Sequence, residues 1–326
     1  MTESKLDFYA TYHGLTVKDV SRIGGEREMD VYARLQLLTL TLPSVTLKEV
    51  GRGMYRDLVH RPGDELSAYD RELIARRREQ MERLGLSSPA LGQLALMPDC
   101  SFAIQFALTL LKPYLSQDDE PFYIVDNPVA KDRVFRVPVV RSSSWKGTLR
   151  SAARLALNLQ DDDPQMVSLF GSEKGEREEG LKAGRLVFYT TFFDRIGLEI
   201  INPHDRKRKV GVNPILIESV PAGAQGTFSL LYTPFDLVTA PQAKRVADAC
   251  ADLEAIRKSL RALMLELGFS AKRTSGYGVI HDKDLNGTLY IKKGPKVFRS
   301  SFTTFTELET TAQKACNLWQ GGQHNE

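Results

Sequence analysis

From Phe102 to Leu110, large apolar residues alternate with small or polar ones. Phe102, Ile104, Phe106, Leu108 and Leu110 fall on one side, and Ala103, Gln105, Ala107 and Thr109 on the other. A period of two fits a strand with one buried face and does not fit a helix. The chain must therefore build a sheet and cover one side of it. Later segments supply the cover. Pro241 opens a long helix to about Leu267, whose stripe is Val246, Ala249, Leu253, Ile256, Leu260, Leu263 and Leu267. Ser142 to Ser144 can cap a second helix that runs through Leu149 and Leu155 to about Gln160, where Asp161-Asp-Asp-Pro164 stops it.

More strands follow from β-branched and aromatic content: Arg185 to Phe193 (RLVFYTTFF) and Gly226 to Phe235 (GTFSLLYTPF). A last pair is expected at Gly278 to His281 and Thr288 to Lys292, joined by a turn through Asp284 to Gly287. The order is strand, helix, strand, strand, helix, strand, with large insertions. That is the α+β split βαβ plan, ferredoxin-like and shared with RNA recognition motifs. Ahead of it, residues 1–100 read as a mostly helical extension. In Ser67 to Leu84, spacing puts most of Leu73, Ile74, Met81 and Leu84 on one helical face, with Arg76-Arg77-Arg78 between them. Such an arginine run is a phosphate site or, more usually, a solvated face, paired here with Glu72, Glu79 and Glu82.

Composition removes several classes. The 326 residues carry 44 Lys and Arg against 41 Asp and Glu, a net charge of +3 that selects no partner by itself. Cys100, Cys250 and Cys316 have no paired spacing, which excludes a zinc ribbon and argues against a disulfide framework. The start lacks the basic-then-apolar order of a signal peptide. The most apolar stretch, Phe102 to Leu111, is far short of a membrane span. These readings predict a cytoplasmic protein with no membrane partner. No GxxxxGK[ST] loop, strand-led GxGxxG, HExxH or GxSxG occurs, and His13, His60, His204, His281 and His324 are scattered.

Four segments can carry chemistry. Ser142-Ser143-Ser144-Trp145-Lys146-Gly147-Thr148-Leu149-Arg150 lies at a loop-to-helix junction, where free N–H groups and the dipole favour an anion. It is equally the start of an ordinary amphipathic helix. Gly268 to Gly278 (GFSAKRTSGYG) joins Lys272, Arg273 and Ser275 to Tyr277, a set able to wrap a sugar-phosphate backbone and stack a base. The bland alternative is a tight turn with a core tyrosine. Pro203 to Lys209 clusters His204, Arg206, Lys207 and Arg208, suited to phosphate neutralisation or to an exposed solubilising loop. Asp126 to Asp132 (DNPVAKD) is a turn whose aspartate, beside an RNA backbone, can hold Mg²⁺.

In this order, the segments resemble the repeat-associated mysterious protein (RAMP) superfamily of type III CRISPR effector complexes. Ser142 to Arg150 is similar to the family's Gly-Ser-Ser-x-Lys-Gly-x-x-Arg segment, with Ser142 for the glycine and Arg141 for the preceding proline. Leu169-Phe170-Gly171, Ala183-Gly184-Arg185-Leu186 and Gly276-Tyr277-Gly278 resemble three further family segments. The stretch from Asp126 resembles the Asp-Ser-Pro-Val-x-Arg-Asp of backbone subunits that cut target RNA, with Asp126 on the aspartate required for cleavage.

The resemblance implies a CRISPR RNA-binding backbone subunit with a thumb-like loop over about residues 117–137. Its partners would be the CRISPR guide RNA, complementary target RNA, other RAMP subunits and the large subunit of the complex. It further implies guide contacts from Ser143, Ser144, Lys146, Gly147, Arg150, Lys272, Arg273, Ser275 and Tyr277, with His204, Arg206, Lys207 and Arg208 as second-rank candidates. Asp126 would be catalytic and the Mg²⁺ ligand if the subunit cuts, with Mg²⁺ then the one cofactor. The domains expected are an extension at 1–100, a core at 101–295 and a tail at 296–326. Two other readings stay open. One is a metal-independent endoribonuclease that matures the guide precursor with His204 or His281 as general base. The other is a non-catalytic structural adaptor.

Overall fold

The computed structural model describes residues 16–25, 29–61, 65–118, 123–172, 182–201 and 215–321. In chain order these form α1 (Val17–Gly25), α2 (Val31–Leu38), α3 (Val45–Val59), a π-helical turn Tyr69–Ile74 running into α4 (Ala75–Arg83), β1 (Phe102–Thr109) and β2 (Val139–Val140). Next come α5 (Ser142–Leu157), α6 (Pro164–Phe170), β3 (Leu186–Phe188), β4 (Thr191–Phe192), β5 (Gly197–Ile201), β6 (Ile215–Ser219) and β7 (Gln225–Tyr232). The chain ends with α7 (Gln242–Ala262), β8 (Gly287–Lys293), β9 (Lys296–Phe302) and α8 (Phe305–Gln320). Contacts divide the chain into two units, each drawn from several stretches of sequence. One comprises 1–81, 115–138 and 193–221, and the other 82–114, 139–192 and 222–326. No helix of the described residues is long and apolar enough to cross a membrane.

The second unit holds a five-stranded antiparallel sheet in the order β3-β7-β1-β8-β9. The alternating segment from Phe102 forms its central strand, β1. Phe102 lies opposite Tyr232 on one side and Ile291 on the other, and Phe106 lies opposite Phe228. All four large apolar residues from Phe102 to Leu108 are buried. Phe102 stacks on Tyr232 with centroids 4.5 Å apart, and Phe106 meets Phe228 at 5.0 Å and Phe305 of α8 at 5.6 Å. Helices α5, α7 and α8 cover this face, each through the stripe its spacing dictates: Trp145, Leu149 and Ala152; Val246, Ala249, Leu253, Ile256 and Leu260; Leu308, Ala312, Ala315 and Trp319. Burying aromatic residues of this size contributes roughly 1.5–3 kcal/mol each.

Four expectations are corrected. Arg185 to Phe193 is two short strands, β3 and β4, that join different sheets. The terminal hairpin is β8–β9, turned at Gly294 with φ +55°, and residues 296–320 form a strand and a helix of the sheet unit. Of Gly278 to His281, Ile280 makes a single bridge to Leu110, because the neighbouring backbone serves loop closure instead. The serines of α5 occupy its first turn and do not cap it: the cap position is Arg141, with no side-chain cap bond.

The first unit holds α1 to α3, α4 up to Met81, and the β5–β6 ribbon. Asp30 and Ser44 cap α2 and α3 by accepting from the Tyr32 and Leu47 N–H groups. Glu72 pairs with Arg34 at 3.0 Å, not with the arginine run of α4.

Candidate nucleic-acid interface

Two of the sequence segments meet in the sheet unit. Trp145, on the first turn of α5, is fully buried and donates its indole N–H to Thr191 Oγ1 at 3.0 Å. Its ring packs on Phe269 at 4.6 Å between centroids, and Phe269 is the second residue of the glycine-rich loop. One aromatic contact therefore ties the helix start to the loop. On either side of it the side chains point outward: Ser143, Ser144, Lys146 and Gly147 of α5 are exposed, as are Lys272, Arg273 and Ser275 of the loop. A Cβ at Gly147 would meet nothing within 4 Å, so the surface is open to a ligand backbone there.

The loop's shape depends on its outer glycines. Gly268 and Gly278 have φ of +72° and +75°. A Cβ at Gly268 would sit 2.3 Å from the Tyr277 carbonyl oxygen, and one at Gly278 2.5 Å from Ser270 Cβ. The loop is closed by the Phe269 N–H donating to Gly278 O at 3.1 Å and the Gly278 N–H donating to Pro113 O at 2.9 Å. Lys272 adopts the left-handed region, φ +58°, and Tyr277 is half-buried.

Arg150 stands apart from the other candidates. Its Nε donates to Asp161 Oδ1 at 2.7 Å, and Asp161 also holds Arg154 at 3.0 Å. Two other motif segments are scaffolding. A Cβ at Gly184 would lie 2.5 Å from the Leu169 carbonyl oxygen, so Leu169-Phe170-Gly171 and Ala183-Gly184-Arg185 pack backbone to backbone. Arg185, buried, then bonds Asp236 at 2.6 Å and Asp252 at 2.7 Å, with Tyr232 donating to Asp252 at 2.8 Å.

The loop bearing Asp126 belongs to the first unit. It is anchored by a buried carboxylate, Glu218, on β6. Glu218 accepts from the Tyr123 hydroxyl at 2.6 Å, from the Val129 N–H at 2.9 Å, from the Tyr55 hydroxyl and from the Lys131 ammonium. Burial pushes the Glu218 carboxyl well above its ordinary value, while the Val129 N–H pulls the other way. Lys131, the lysine of the Asp-Asn-Pro-Val-x-Lys segment, is thus an internal tie, 2% exposed along its side chain.

Asp126 itself is largely exposed, and Arg52 of α3 approaches both of its oxygens through Nη2 at 3.0 Å. Sequence reasoning missed Arg52, Tyr55 and Glu218: Arg52 lies 74 residues from Asp126, Tyr55 163 from Glu218 and Glu218 87 from Lys131, and no local pattern records such a pairing. Among the described residues no group of three or more His, Cys, Asp or Glu can hold a metal. Asp126 fits Mg²⁺ in the one-carboxylate manner, in which phosphate oxygens and water complete the shell. Asp126 is 60% exposed, and each of its oxygens keeps a lone pair for the ion beside the bond from Arg52.

His204, Arg206, Lys207 and Arg208 lie outside the described residues. His281 donates its backbone N–H to Thr109 O at 3.0 Å and is half-buried.

The sequence model of the RAMP superfamily matches residues 85–281, which span β1 to the end of the glycine-rich loop. A protein of Streptococcus thermophilus, "CRISPR system Cms endoribonuclease Csm3", is 30% identical over 183 residues, covering 50% of this chain and 77% of that one. The protein of the same name from Enterococcus italicus is 26% identical over 173 residues, 47% of this chain and 75% of that one. Among solved structures, a chain of the type III-B Cmr-beta complex bound to cognate target RNA aligns with 88% of this chain and 99% of its own, at 12% identity and a TM-score of 0.48.

Proposed function

This chain belongs to the RAMP superfamily, and from that premise we propose that it is a guide-RNA-binding backbone subunit of a type III CRISPR effector complex. The observation that carries the reading is the union, through Trp145 and Phe269, of the α5 start with the glycine-rich loop inside the matched region. The two offer Lys146, Lys272 and Arg273 with exposed hydroxyls and a half-buried Tyr277, groups that grip phosphates and stack a base without reading sequence. Sequence would then be read by pairing between guide and target. Its partners are the guide, the target RNA, further RAMP subunits and the large subunit.

The core follows the ferredoxin-like plan in this reading. The succession β1–α5–β3–β7–α7–β8 and the strand order β3-β7-β1-β8 support it, with β9 added at the edge.

We further propose that the subunit cuts target RNA at the Asp126 loop, as the endoribonuclease name of its relatives suggests. In that reaction the ribose 2′-oxygen bonds to the adjacent phosphorus and the P–O5′ bond breaks. The hydroxyl proton is lost and the departing 5′-oxygen gains one, leaving a cyclic phosphate and a 5′-hydroxyl. Asp126 is the residue that would hold Mg²⁺, which when bound supplies polarisation of a phosphoryl oxygen. Otherwise its carboxylate orients the reacting backbone. In the assembled complex, Asp126→Ala should abolish target cutting and leave guide and target binding unchanged, read on a denaturing gel beside a filter-binding assay. Cutting at the original rate would assign the reaction elsewhere.

A further inference from the structure

Arg52 comes from outside the matched region, yet it is built into the Asp126 loop. Its Nε donates to the Ile124 carbonyl at 3.4 Å and its Nη2 to both oxygens of Asp126 at 3.0 Å. A guanidinium carries five N–H donors in a rigid plane, which matches the geometry of phosphate. The bonds to Ile124 and Asp126 leave Nη1 over, and its recorded partner, Glu49, is 3.7 Å away, an ion-pair distance too long for a hydrogen bond. The side chain is 26% exposed against 60% for Asp126, so the pair opens to solvent with the guanidinium held from behind. The arginine is thus fixed at three points of its surroundings and keeps donors to spare, next to the carboxylate assigned to cutting.

We propose that Arg52 is the phosphate-contacting residue of the cutting site: its spare N–H groups receive a non-bridging oxygen of the scissile phosphodiester while Asp126 and Ile124 hold its plane. This rests on the reading that Asp126 marks the cutting site. The ligand class is an RNA phosphodiester. The arginine's charge acts where negative charge develops as the 2′-oxygen attacks, so it counts more in the transition state than in binding. A segment that precedes the superfamily's own region would then complete the reaction centre.

The test uses the full-length chain assembled with its guide RNA. Target RNA is prepared with either an ordinary phosphate or a stereopure phosphorothioate at the scissile position, and single-turnover cutting is followed for wild type, Arg52→Ala, Arg52→Lys and Asp126→Ala. Arg52→Ala should retain guide and target RNA yet cut about 10²-fold more slowly, the usual loss for one such donor. One phosphorothioate isomer should slow the wild type and cost Arg52→Ala nothing further, with Arg52→Lys in between. A structural role alone would leave that sulfur effect intact. Cutting by Arg52→Ala at the wild-type rate, or a slowed rate with the sulfur effect unchanged, would overturn the proposal. If Arg52→Ala fails to fold and loses its guide, the sulfur effect in Arg52→Lys decides: undiminished, it rejects the contact. Normal cutting by Asp126→Ala would defeat the underlying reading instead, whatever Arg52 does.

Discussion

Lys131 and Glu218 meet in the interior of the first unit, and their pairing determines how firmly the Asp126 loop is held. Lys131→Ala would leave Glu218 buried without its cation, a change that costs about 3–5 kcal/mol in comparable pairs. Urea unfolding at neutral pH should register that loss. The loss should also depend on pH in a defined sense. Burial raises the folded-state pKa of Glu218 above 4.5. Removing the Lys131 ammonium takes away a charge that favours the carboxylate, so in the variant the folded chain holds the proton to still higher pH, and the stability this supplies is full below 4.5 and declines as pH rises. The gap to wild type should narrow on acidification, and a gap that widens would contradict the assignment. At this scale the sequence was informative about residue types and silent about partners. Asp126 was legible from its turn and neighbours, whereas Arg52 and Glu218 were not, because a contact across about seventy or ninety residues leaves no local periodicity. Arg150 illustrates the converse. The resemblance made it a guide contact, and in the structure its side chain is engaged by Asp161 at 2.7 Å.

At the scale of elements, the candidate interface depends on one helix start and one loop being held together by aromatic packing. The loop's path needs left-handed backbone at Gly268 and Gly278, and the helix needs Trp145 turned inward so that its neighbours face outward. Lys146 and Lys272 are exposed, so replacing both with alanine should spare the fold. The paired variant should bind guide RNA more weakly and flatten the salt dependence of log K by about 1.4, twice the single-strand value for one phosphate. A salt titration that returns the wild-type slope would remove these lysines from the interface. The elements themselves were legible where periodicity was strong: β1, α5 and α7 follow from their patterns. The β8–β9 hairpin was not. Most of β9 is exposed along an edge and lacks the alternation that identifies a half-buried strand, while Val279 and Ile280 carry strand-like residues but serve to close the loop.

At the scale of the whole molecule, the two units interleave in sequence: the first is completed by residues 115–138 and 193–221, which leave and re-enter the sheet unit's own stretches. Linear domain boundaries at 100 and 295 could not anticipate that arrangement. It gives the helices at the beginning of the chain a purpose, since α3 supplies both Arg52 and Tyr55 to the Asp126 loop and its anchor. The central claim is that the chain grips a guide RNA. The most direct measurement is to purify the protein from its native operon at moderate salt, extract the nucleic acid it carries and sequence it. Guide RNAs of mature length sharing one repeat-derived end are the predicted result. Recovery of no RNA, or of unprocessed precursor alone, would contradict it.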